Sequence, residues 1–277
     1  MDAEREYNNR ARVPESAEII ADWARRAAAF RASGVRAELD LAYGAGEREK
    51  LDLFLPADAG AAPTALFIHG GYWQALDRSF VSHCAQGLLA QGVAVAVPSY
   101  DLCPAVTLTE ITEQMRRAAA FLYRRRGGPL LAAGHSAGGQ LAALLLATDW
   151  PAWQAGLPAG LVGAALPVSG VFELAPLTGT SLARALNMSQ AEIATLSPRL
   201  LPPPAFSGLH VVVGGAESGE FIRQSRDFAA HWGGSYEAIP GANHFTVLEP
   251  FAEAHHPLMQ KAGEMARRLA SRPGFAQ

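Results

Sequence analysis

Short, continuous runs that are apolar on both faces recur along this chain, and stretches of helical periodicity separate them. The runs lie at 64–68, 93–97, 129–133, 161–168 and 210–213, with a last strand-like stretch at 236–239. A strand that is apolar on both faces is stable only where both faces of its sheet are covered, as they are in parallel sheets. The intervening patterns at 78–91, 108–125, 137–147 and 219–232, with a final one at 257–270, read as the helices that return the chain between parallel strands. This rhythm predicts an α/β fold with a mostly parallel central sheet flanked by helices. Two extended stretches, 35–43 and 50–55, precede it, the second alternating as Leu51, Leu53 and Leu55. Before them, 15–31 reads as an amphipathic helix with Ile19, Ile20, Trp23 and Ala27 on one face.

One segment breaks the rhythm. Residues 172–204 hold helical fragments and turns and end on Pro202, Pro203 and Pro204, so they read as a small lid insertion over the carboxyl edge of the sheet. At 277 residues the chain suits one domain spanning 1–277, with an N-terminal helical segment over about 1–34 and the lid over about 172–204.

Composition narrows the function classes. Hydrophobic residues make up 49% and charged residues 18%, enough for a large core and unlike a disordered chain. A net charge of -3 gives no basic footprint, which argues against nucleic acid as a partner. No apolar run reaches the ~18 residues of a membrane span, and the polar start MDAEREYNNRAR lacks the apolar stretch of a signal peptide. Cys84 and Cys103 sit in unrelated segments without a C-x-x-C pattern. A cytoplasmic protein acting on a small-molecule substrate, without membrane or nucleic acid and with a homodimer allowed, is the expectation.

The chemistry centres on LLAAGHSAGGQLAALLLA, residues 130–147, where one hydroxyl, Ser136, sits among Gly134, Gly138 and Gly139 between a strand and a helix. Gly134-His135-Ser136-Ala137-Gly138 fits G-x-S-x-G. In that pattern a sharp strand-to-helix turn lifts a serine above the sheet, and small neighbours relieve the steric conflict. A serine alone is inert, so partners must follow in the order acid, then histidine. Glu217, in HVVVGGAESGEF, falls at the end of the next-to-last strand, and His244, in PGANHF, in the loop after the last. His244 is the expected base and Glu217 the acid that orients it. Glu220 and Asp227 lie farther along the following helix, and Glu173, after the preceding strand, is a rival acid. An oxyanion hole is expected from the backbone amides of Gly71 and Tyr72 in HGGYW, residues 69–73, together with that of Ala137. His69 reads as an anchor for that loop, and His135 as a spacer pointing away from the serine. Tyr72, Trp73 and Phe172 are the candidates for the substrate pocket. No acidic or thiol cluster accompanies His255 and His256, so neither a metal nor another cofactor is expected.

From residue 35 onward the chain resembles the α/β-hydrolases. HGGYW, YDLCP at 100–104 and ESGEFIRQS at 217–225 look like the arylformamidase (kynurenine formamidase) group, which is related to the hormone-sensitive-lipase-like esterases. Against those esterases, HGGYW stands for HGGG and GHSAGG for GDSAGG. The resemblance implies hydrolysis of N-formylkynurenine to kynurenine and formate in tryptophan breakdown, with Ser136 as nucleophile, His244 as base and Glu217 as acid. Better-known members carry aspartate at the acid, so Glu217 is a departure. A broad short-chain carboxylesterase is the alternative, and a catalytically silent binding protein of the same fold is the non-enzyme reading. The completeness of nucleophile, base, acid and oxyanion amides argues against the last.

Overall fold

The computed structural model describes residues 2–60, 62–204 and 208–271. Among them the chain forms strands β1 (Ala37–Ala42), β2 (Lys50–Phe54), β3 (Thr64–Ile68), β4 (Ala94–Pro98), β5 (Leu130–His135), β6 (Val162–Val168), β7 (Gly208–Gly214) and β8 (Ser235–Ile239). They make one sheet in the order β1-β2-β4-β3-β5-β6-β7-β8. Only β1 and β2 run antiparallel to their neighbours. This is the α/β-hydrolase fold, with the mostly parallel sheet the apolar runs predicted.

Alternation along the buried strands divides the core in two. Leu66 and Ile68 of β3 and Leu130 and Ala132 of β5 face one cluster, which includes residues of the helices Leu108–Arg126, Ala137–Ala147 and Gly219–His231. Ala65, Phe67, Leu131 and Ala133 face the other, with the helices Ser16–Ala32 and Pro257–Ala270. Both faces are covered, so β3, β4, β5 and β6 are buried at every residue.

One local reading differs from the sequence expectation. The helix expected over 78–91 is broken into Arg78–Val81, a 3-10 turn at Ser82–Ala85 and Gln86–Ala90. The Ser82 hydroxyl donates to the Arg78 carbonyl at 2.9 Å, competing with the helical ladder at that point. Ahead of the helix Ser16–Ala32 the chain forms two further short helices, Ala3–Tyr7 and Asn9–Arg12. Their N-terminal ends are capped by the side chains of Asp2 and Asn8, which accept from the amides of Arg5 and Ala11. Among the described residues no helix is long and apolar enough to cross a membrane.

Candidate active site

Strand β5 runs directly into Ser136, and the helix Ala137–Ala147 begins one residue later. Ser136 sits at φ 56°, ψ -117°, a conformation that costs a non-glycine residue about 1–3 kcal/mol and persists only where its surroundings enforce it. They do so on both sides. Its N–H donates to the Val168 carbonyl at 2.8 Å, and its own carbonyl accepts from the amides of Gly139 and Gln140 at 2.9 and 3.1 Å. The glycines explain the rest of the motif. A Cβ on Gly138 would stand 2.0 Å from the Ile68 carbonyl oxygen, and one on Gly134 would stand 2.2 Å from the Gly138 oxygen. The helix therefore starts flush against the ends of β3 and β5, which only glycine permits.

Behind the serine lies the imidazole of His244. Its Nδ1 donates to Glu217 Oε2 at 2.6 Å. A carboxylate oxygen only accepts, so Nδ1 carries a proton, and in the neutral ring that leaves Nε2 with its lone pair. The other carboxylate oxygen, Oε1, accepts from the Gly214 amide at 2.7 Å and from the Ser169 hydroxyl. The acid is thus fixed at both ends. The ring of His244 packs against Phe221 with centroids 4.6 Å apart. The rival carboxylates are engaged elsewhere, since Glu173, Glu220 and Asp227 all pair with Arg223. Of the acids named from the sequence, the structure brings Glu217 to His244.

Ser136 and His244 border one cavity of about 320 Å³. No hydrogen bond joins the two side chains, a common state of such pairs without substrate. Gly71, at φ 110°, and Tyr72, at φ 51°, border the same cavity. Among the described residues no protein acceptor takes the N–H of Gly71, Tyr72 or Ala137. His69 anchors this loop as expected. It stacks on Tyr100 with centroids 4.2 Å apart, its Nδ1 lies 2.7 Å from the Gly70 carbonyl, and burial lowers its pKa to about 4.

Three expectations need correction. Trp73 is fully buried in the core and does not border the cavity. With φ 56° following Tyr72 at φ 51°, the loop turns its side chain inward. Phe172 is also fully buried, stacked on Phe228 with centroids 4.1 Å apart, because the segment after β6 starts as core before it becomes surface. His135 is no idle spacer. It borders the cavity, and its Nε2 lies 2.8 Å from the His244 carbonyl oxygen, so it fixes the backbone of the histidine loop. Burial holds the His135 pKa well below the ordinary histidine value, so the ring stays neutral and Nε2–H is the donor.

The cavity wall also contains residues that no motif announced. From the insertion come Thr180, Ser181 and Leu182; from the N-terminal helices come Glu4, Tyr7, Asn8, Asn9 and Arg10. The two parts meet where the Ser181 amide donates to Glu4 at 2.7 Å. Ile20 and Trp23 of the next helix complete the wall, and these two did stand on the predicted apolar face. Among the described residues no group of three or more His, Cys, Asp or Glu is placed to hold a metal.

Residues 51–150 match the family described as BD-FAE. The kynurenine formamidase of Salmo salar is 32% identical over 80% of this chain and 79% of its own length. That of Drosophila melanogaster is 30% identical over 76% of each chain. The crystal structure of a provisionally assigned thioesterase from Silicibacter sp. TM1040 is 36% identical, covers 94% of this chain and 98% of its own, and superposes with a TM-score of 0.86. An esterase from Pyrobaculum calidifontis shares the fold at 15% identity, with a TM-score of 0.71 over 92% of this chain and 93% of its own. The chain belongs to the kynurenine formamidase group of the α/β-hydrolases.

Proposed function

We propose that this hydrolase cleaves the formyl amide of an aromatic amine, with N-formylkynurenine as the substrate, through a formyl-enzyme on Ser136. The observation that carries the reading is the 2.6 Å contact between His244 Nδ1 and Glu217, with His244 on the cavity that Ser136 borders. In the first half-reaction Ser136 Oγ attacks the formyl carbon and passes its proton to His244 Nε2. The oxyanion is received by the free N–H groups of Tyr72 and Ala137, with Gly71 beside them; a donor of this kind is worth about 3–4 kcal/mol in the transition state. The C–N bond then breaks, and the His244 proton goes to the departing arylamine. In the second half-reaction water gives a proton to His244 and its oxygen to the formyl carbon; the bond from that carbon to Ser136 Oγ then breaks, His244 returns the proton to Oγ, and the formic acid released ionises to formate. Glu217 supports the imidazolium in both halves.

The cavity suits such a leaving group. Ile20, Trp23, Leu76 and Phe245 offer an apolar wall for a ring. Arg10, on the same cavity, has no carboxylate partner among the described residues, so a substrate carboxylate is its natural counter-ion. A second reading, hydrolysis of short acyl esters or thioesters, is favoured by the 36% identity to the provisionally assigned thioesterase.

The experiment compares kcat/KM for N-formylkynurenine with a series of aryl esters from two to eight acyl carbons. This reading places Tyr72, which borders the cavity, on the acyl side, so the ester values are expected to fall as the chain lengthens, and the formamide to exceed them. A pocket open on the acyl side would instead gain about 0.8 kcal/mol per buried methylene, and an optimum at six or eight carbons would overturn the formamidase reading.

A further inference from the structure

We propose that the N-terminal segment, residues 3–12, belongs to the catalytic apparatus: Asn9 and Tyr7 are positioning residues that hold the Tyr72 amide in place for the oxyanion by gripping the Tyr72 phenol. The inference rests on the reading of Tyr72 N–H as an oxyanion donor and goes beyond it by naming what keeps that donor aimed.

Gly71, Tyr72 and Trp73 take φ values of 110°, 51° and 56° in succession. A positive φ is natural for the glycine and strained for two bulky aromatic residues, so contacts from outside the loop must enforce it. The carbonyls on either side are tied by the backbone, Gly71 to the Gln74 amide at 3.0 Å and Trp73 to the Cys103 amide at 2.8 Å. Tyr72 itself is tied through its side chain. Its hydroxyl donates to the Tyr7 carbonyl at 2.6 Å and accepts from Asn9 Nδ2 at 3.2 Å. Both partners lie in the short N-terminal helices or at their junction.

That grip is itself braced. The Tyr7 ring is buried and packs on Phe221 with centroids 5.7 Å apart. Its hydroxyl donates to Glu220 Oε2 at 3.1 Å and accepts from Gln224 Nε2 at 2.5 Å. Gln224 Oε1 in turn accepts the amides of Phe172 and Glu173 at 2.8 and 3.0 Å. Glu220 and Gln224 belong to the helix Gly219–His231, which begins two residues after Glu217. Residues 3–12 therefore bridge the loop that offers the oxyanion amide and the helix that follows the acid. Without the bridge the Tyr72 peptide is free to relax to negative φ, which swings its N–H away from the reacting carbon.

The test uses the full chain with Tyr72→Phe and Asn9→Ala, each scaled to the fraction of protein that a fluorophosphonate labels. Both are expected to lower kcat for N-formylkynurenine about tenfold or more while KM stays within about twofold, because a misaimed donor weakens the transition state and not substrate binding. The inhibition constant of an aryl boronate, whose tetrahedral adduct on Ser136 places an oxygen in the oxyanion position, is expected to rise in parallel. The double variant should be no worse than Tyr72→Phe alone, since Tyr72→Phe already removes the contact that Asn9→Ala removes. A merely structural role would lower Tm but leave kcat per labelled site and the boronate constant unchanged, and that outcome overturns the inference. Ser136→Ala separates the two claims: if it retains activity, the serine mechanism fails and this inference with it. If it is dead while Tyr72→Phe and Asn9→Ala match wild type, only the inference fails.

Discussion

The turn at Ser136 and the segment 3–12 meet at one cavity, yet opposite means hold them. At the turn the constraint is backbone against backbone: the Gly138 position lies so close to the Ile68 carbonyl that a Cβ would sit 2.0 Å from it. Nothing there depends on a distant side chain. The N-terminal segment reaches the cavity through side chains, with Asn9 on Tyr72 and Tyr7 on Glu220 and Gln224, more than 200 residues away in sequence. Steric necessity fixes the first region, and long-range hydrogen bonding places the second. The first should tolerate almost no substitution, while the second should tolerate several and change specificity or turnover by degrees.

The largest effects therefore belong to the strand ends. Ser136→Ala and His244→Ala are each expected to lower kcat about 10⁴-fold or more, and the double variant little further, because the two act as a unit. Glu217→Gln should cost less than either, since His244 remains while the carboxylate that fixes its tautomer is lost. Glu173→Gln is the control. It breaks an ion pair with Arg223 that is partly exposed, so activity close to wild type is expected. The reverse ranking in steady-state assays would move the acid away from Glu217.

Gly138→Ala sharpens the contrast without touching a reacting group. The added methyl cannot fit against the Ile68 carbonyl, so the start of the helix must shift and carry Ser136 with it. A displacement of about 1 Å is enough for a loss near 10²-fold. Retained activity would show that the turn is less constrained than its packing indicates.

At the N-terminal segment the expected change is smaller and selective. Arg10 is exposed, and ion pairs of exposed groups contribute about 0.2–1 kcal/mol, so Arg10→Gln should raise KM for N-formylkynurenine by at most about fivefold. Formanilide, which lacks the carboxylate, should show no change. Equal shifts for both substrates would remove Arg10 from recognition.

The smallest effect concerns stability and not chemistry. Burial lowers the pKa of His69 and of His83 to about 4 each, and that of His135 well below its ordinary value. Between the unfolded histidine pKa near 6.5 and about 4, the unfolded chain binds protons that the native one does not, so stability falls as the pH is lowered through that window. Melting curves should show Tm declining from pH 7 to pH 5. A Tm that rises on acidification would contradict neutral buried imidazoles.

The same contrast decides what could be read from the sequence. The strands were legible because full burial demands continuous apolar runs, and β3 falls where its run predicted, at Thr64–Ile68. Ser136, His244 and Glu217 were legible as candidates because a strand-to-helix turn of this tightness admits few residues and the fold orders the partners. The cavity wall was not. Glu4 and Asn9 form no pattern by themselves, and their meaning lies in Ser181 and Tyr72, far along the chain. Trp73 and Phe172 misled for a related reason: an aromatic residue next to a functional loop looks the same in sequence whether it faces the cavity or the core. What separates Tyr72 from its neighbour is that Tyr72 borders the cavity while Trp73 is fully buried.

The most direct test of the account is to label the protein with a fluorophosphonate and map the adduct by peptide mass spectrometry, following residual formamidase and esterase activity in the same sample. The predicted result is one adduct per chain on Ser136, both activities lost in proportion to labelling, and no adduct on the Ser136→Ala variant. An active, folded enzyme that stays unlabelled, or that carries its adduct on another residue, would contradict the formyl-enzyme on Ser136.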